Sequence, residues 1–172
     1  MTNETPKKFD LETLTEIFRQ AGASDPEQWA ISQIEEGINQ LGRFSFLKSI
    51  TTEWLKENAL DWVDNQIAFS YSNPCDPCSQ LPKALKEMLE KNVSREAIVD
   101  LIRVIQYNAL HHVCSTIDGA YGASTPVSNW GLYELDEEEY TPTEPITMLH
   151  ESLLEFDPSG KEMRPRESEG SR

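Results

Sequence analysis

Three cysteines and three histidines are the residues of this 172-residue chain whose types most readily do chemistry. Cys75 and Cys78 form a C-x-x-C pair in a proline-containing segment, and His111 and Cys114 stand three apart on a long helical pattern. Three thiolates and one imidazole are a ligand set for tetrahedral structural zinc. Residues three apart on a helix project from one side, so His111 and Cys114 can serve one ion. A second C-x-x-C is absent, as are the glycine or basic neighbours usual in a zinc knuckle. The competing reading makes Cys75 and Cys78 exposed loop thiols and Cys114 a small buried apolar residue. Zinc on Cys75, Cys78, His111 and Cys114, in a structural role, is the sharpest metal expectation.

Other chemistries have thinner support. Cys75-Asp-Pro-Cys78, ahead of a helix, resembles the thioredoxin active-site motif, in which a helix N-terminus activates the first thiol. The resemblance covers four residues, and the strand–helix alternation of that family does not accompany it. Cys114 with His111 or His112 as base would need side chains of one helix aligned for proton transfer and a third orienting group, which the sequence does not supply. His150 is a lone acid–base or metal candidate against a partly exposed helical histidine. No nucleophile-elbow, phosphate-loop, zincin or calcium-loop motif occurs. An enzyme, whether thiol redox or hydrolase, is therefore disfavoured.

The charge layout points elsewhere. The net charge is −15, and residues 104–160 hold ten Asp and Glu and no Lys or Arg. Nucleic acid and anionic membrane surfaces both need basic protein surface, so neither is expected as a partner. The densest acidic stretch is Glu134, Asp136, Glu137, Glu138 and Glu139, with Trp130, Tyr133 and Tyr140 around it. Carboxylates among aromatics can steer and hold a basic protein, as inhibitors and immunity-type proteins do. The plainer reading is a solvated loop tip. The expectation is a small acidic, non-enzymatic protein–protein interaction module, with a zinc-stabilised domain as the alternative. Three cysteines, no apolar run of membrane-span length and no secretory pattern suit a soluble cytoplasmic protein. Amphipathic helices rich in aromatics suit a homodimer as well as a monomer.

The elements that must position these residues are mainly helical. Asp10 caps a helix that Gly22 ends, and Asp25-Pro26-Glu27-Gln28 opens a second, with Ile31, Ile34, Ile38 and Leu41 on its face and Gly42 as its stop. Residues 44–50 are of uncertain state. Thr52 opens a helix or two short ones, residues 72–81 form a loop, and Pro82 starts a short helix ended at Asn92. The longest pattern, 94–118, has Ser94 as cap and Gly119 as stop, with Ile98, Leu101, Ile102, Ile105, Ala109, His112 and Val113 on one face. Arg103, Tyr107, His111 and Cys114 lie on the other face, which reads as neither solvent surface nor a simple apolar stripe.

Residues 130–135 read as a strand and 136–143 as an acidic loop. Residues 145–156 read as a helix, with strand parity left open. The expectation is a mainly α single-domain helical bundle over 1–160 around the central helix, a short C-terminal strand, and a flexible tail at 161–172.

Overall fold

The computed structural model describes residues 9–73, 75–119 and 131–166. It is mainly helical, with one two-stranded antiparallel sheet. The contacts divide the chain into two compact units, residues 1–50 with 112–153, and residues 51–111 with 154–172.

In the first unit, α1 (Leu11–Ala21) starts where the Asp10 carboxylate accepts the Thr13 N–H, and it ends at Gly22 with φ +84°. A left-handed residue there suits glycine, which has no Cβ to clash. The second helix, α2 (Pro26–Glu36), is capped by Asp25. It stops at Gly37, φ +67°, and not at Gly42. Gly42 lies inside α3 (Gln40–Ile50), which absorbs the stretch of uncertain state. Asn39 starts α3, because its Oδ1 accepts the Gly42 N–H at 2.9 Å. Gln33 Oε1 accepts the Leu41 N–H beside it, so two free donors of the helix start are satisfied.

The core of this unit is a ring cluster. Phe18, Trp29 and Phe44 have centroids 5.3–5.8 Å apart, with the Phe44 ring edge-on to both others. Buried Arg43 lies over the Trp29 ring, and its Nε and Nη1 donate to Gln40 Oε1 and to the Met148 carbonyl. Strands β1 (Leu132–Leu135) and β2 (Pro142–Ile146) form a hairpin, and β2 lies against α3. After it come α7 (Leu149–Ser152) and a 3₁₀ turn, Leu153–Phe156. Residues 145–156 are thus part strand and part helix, because Met148 at φ +59° breaks the run that helical spacing joined.

In the second unit, Leu55, Val63, Leu85, Ile98 and Val99 form the core. They come from the turn segment before α4 (Asp61–Ala68), from α4 itself, from α5 (Leu81–Glu90) and from α6 (Arg95–Ile117), of which residues up to His111 belong here. Residues 51–60 are turns and not the helix expected from Thr52, although Trp54 and Leu55 are buried there. Ser94 caps α6 through the Ala97 N–H, and Gly119 follows it at φ +73°.

The expected core face of α6 is displaced. Leu101 and Ile105 are 49% and 57% exposed, and Ala109, His112 and Val113 are exposed as well. Of that face Ile98 is buried and Ile102 partly buried, and burial otherwise runs through Val99, Arg103 and Cys114. Arg103 explains the shift. Its guanidinium donates to the Leu55 carbonyl, to Asp157 Oδ1 at 2.6 Å and to Ser159 Oγ, so a charged residue is satisfied inside. Apolar periodicity counts residue types and cannot see such a partner. Within residues 161–166, Lys161 pairs with Glu57 and Arg166 with Asp100.

Candidate functional site

The four residues of the zinc expectation have different surroundings. Cys75 and Cys78 are exposed in the turns before α5, where their N–H groups donate to Asn73 Oδ1 and Asp76 Oδ1, each at 2.9 Å. His111 is partly buried, its ring 5.5 Å from that of Tyr107. Cys114 is fully buried. Burial first, and the Asp118 carboxylate second, push its thiol up to about 11. Such a thiol carries little thiolate at neutral pH and is a poor nucleophile. Among the described residues, no three His, Cys, Asp or Glu side chains are grouped to hold a metal ion. His150 Nδ1 lies 2.6 Å from Asp118 Oδ2, and the same oxygen accepts the His150 N–H, which fixes the start of α7.

The acidic segment forms the connection of the β1–β2 hairpin. Asp136 organises it: its Oδ1 accepts the Glu138 and Glu139 N–H groups at 2.9 and 2.7 Å. Those two bonds, the Glu139 one the larger, hold its carboxyl below the usual carboxylate range. Asp136 therefore shapes the turn, and Glu137, Glu138 and Glu139 are its exposed charges. Tyr133 and Tyr140 are 47% and 75% exposed beside them. Trp130 lies outside the described residues.

At the root of this hairpin is a cleft of about 600 Å³. One wall is apolar, from Leu14, Ile34, Ile38 and Leu41. The hairpin supplies Glu134 and Glu144, and the start of α1 supplies Asp10, whose carboxyl is held low by hydrogen bonds from Thr13. The pairing makes the two glutamates neighbours. Tyr133 faces Pro145 and Leu135 faces Pro142, so a bulge sets Thr143 and Glu144 against the single residue Glu134. Both glutamates are partly buried and share the inward face with Leu132 and Ile146. Among the described residues, no Lys or Arg lines the cleft. Buried Asn39 Nδ2 at its edge has no hydrogen-bond partner, its amide oxygen being committed to the cap of α3.

The sequence reading counted Glu134, on the strand, with the acidic partner-binding stretch, and passed over Asn39 and Glu144. Two signals could have found them. Asn39-x-x-Gly42 is a helix-start spacing once Gly42 is not taken as a stop. The alternation Leu132/Glu134 and Glu144/Ile146 puts carboxylates on a strand face that should be apolar. No described helix is long and apolar enough to cross a membrane. Comparison with protein-family models, with curated proteins and with solved structures finds no match to this chain.

Proposed function

We propose that the chain is a protein-binding module that engages a basic partner through the β1–β2 hairpin. The observation that carries this reading is the exposed set Glu137, Glu138 and Glu139 beside Tyr133 and Tyr140, in a region without Lys or Arg from residue 104 to 160. Clustered negative charge steers a basic protein and raises its association rate. Exposed tyrosines supply contact area at a small entropic cost. Cysteines outside any disulfide suit a reducing compartment such as the cytoplasm.

Charge reversal tests this reading. Partners captured by cross-linking to the unaltered chain should be lost when Glu137, Glu138 and Glu139 are all changed to Lys. Asp136 is left alone because it builds the turn. The association rate of a captured partner should fall as salt shortens the screening length from about 30 Å at 0.01 M to about 8 Å at 0.15 M. A partner bound equally well by the reversed variant, at a rate indifferent to salt, removes the proposal.

A further inference from the structure

We infer that the cleft at the hairpin root is the seat for one arginine side chain of a basic peptide segment, with an apolar neighbour, because a guanidinium fork can engage two carboxylates at once. Glu134 and Glu144 would hold its charge, and Asn39 its backbone. This rests on the reading of the hairpin as a basic-partner site, and adds where the partner's anchor residue goes.

The inward face of a hairpin packed on a helix is ordinarily apolar, and like charges opposed across two strands are destabilising. Glu134 and Glu144 break both rules, partly buried and opposed across the bulge. Among the described residues neither takes part in an ion pair. The positive end of the α3 dipole lies close to Glu134, whose Oε1 is 2.6 Å from where a Cβ on Gly42 would stand. A cation between the two carboxylates removes the conflict.

The rest of the cleft selects an organic cation. Its wall of Leu14, Ile34, Ile38 and Leu41 suits the methylene stem that Lys and Arg lay along apolar surface. A hard metal ion would need six to eight oxygen ligands, which such a wall does not give. Asn39 Nδ2 is a donor without an acceptor, and a peptide carbonyl is one. The volume of about 600 Å³ falls in the range of sites that enclose a ligand group.

The probe is acetyl-Lys-Leu-Arg-Leu-Lys-amide, titrated into the full chain by calorimetry, beside the same peptide with citrulline for arginine. Citrulline keeps the shape and removes the charge. Binding should weaken about tenfold with citrulline, and about tenfold when Glu134 and Glu144 are both changed to Gln. The two losses should not add. The Asn39 side-chain amide signal should shift on binding. The Gln variant should melt no lower than the parent, since it relieves a repulsion. Ile34→Trp, at a position 49% exposed, fills the cleft without touching a charge and should also block the peptide.

If the peptide binds, responds to reversal of Glu137–Glu139, and ignores citrulline and every cleft variant, the cleft assignment is overturned while the hairpin reading stands. Loss with the cleft variants alone supports the cleft and removes the hairpin tip. No binding to the unaltered chain at ~50 mM salt overturns both.

Discussion

Arg103 and Asp157, 54 residues apart in sequence, form a buried ion pair with Nη2 2.6 Å from Oδ1, their side chains 5% and 0% exposed. The aspartate is also the centre of a small network. It accepts the Ser159 N–H and hydroxyl and the Met163 N–H. Burial alone would raise its carboxyl, but these bonds and Arg103 outweigh it and hold the carboxyl below its ordinary 3.8. One arginine on α6 thereby fixes the chain over residues 157–163.

Asp157→Ala should cost about 3–5 kcal/mol, because it leaves the Arg103 guanidinium buried without its partner. The pH dependence has a definite sign. A carboxyl depressed by folding contributes stability above its unfolded value of 3.8, and that contribution is lost as pH falls through the folded one. Urea unfolding of the parent should therefore weaken below about pH 4, and Asp157→Asn should flatten that acid limb. An unchanged acid limb in the Asn variant would show that other carboxylates set it.

Gly42 offers a second test, because two effects of similar size oppose each other there. It is helical with ordinary φ, so alanine should gain about 1 kcal/mol of helix propensity. The new Cβ would stand 2.6 Å from Glu134 Oε1 and 2.7 Å from Asn39 Nδ2. Glu134 can swing away, whereas Asn39 cannot move without losing its cap, worth about 1 kcal/mol. Gly42→Ala alone should show almost no gain in a chemical melt, and the gain should return in an Asn39→Ala background. A cycle with no coupling between the two positions would mean that Asn39 is not held as described.

What could be read from the sequence follows from where the information lies. Asp10, Asp25, Gly22 and Gly119 act on their own neighbours, and each sits where its type and spacing placed it. Gly42 reads as a helix stop and is not one, because glycine both ends helices and occurs within them, and only Asn39 three residues before it decides. The buried face of α6 depends on Asp157, far away in sequence, so no local window could assign it. The cleft depends on the bulge opposite Glu134, and one residue of strand register decides whether Glu144 faces in or out.

The displaced face of α6 gives a comparison within one helix. Ile98 and Ile105 are the same residue type on the stripe that periodicity assigns to the core, at 1% and 57% exposure. Ile98→Ala should cost about 2–5 kcal/mol, as a buried truncation that leaves a cavity. Ile105→Ala should change stability by about 0.5 kcal/mol or less. Equal costs would place Ile105 under cover that the described contacts do not provide.

The three thiols should separate by exposure and by pH. Cys75 and Cys78 are exposed, so a thiol reagent at neutral pH should consume two thiols quickly. Cys114 should react only on unfolding, being buried with its thiol pushed up to about 11. Its sign is opposite to that of Asp157. The folded state keeps the proton that the unfolded state releases above 9.0, so this contribution is complete below that value and is lost as pH rises towards the folded value. Cys114→Ala should therefore lose part of the alkaline slope of stability. Fast labelling of all three thiols in the folded chain would place Cys114 at the surface and end the case for its raised value.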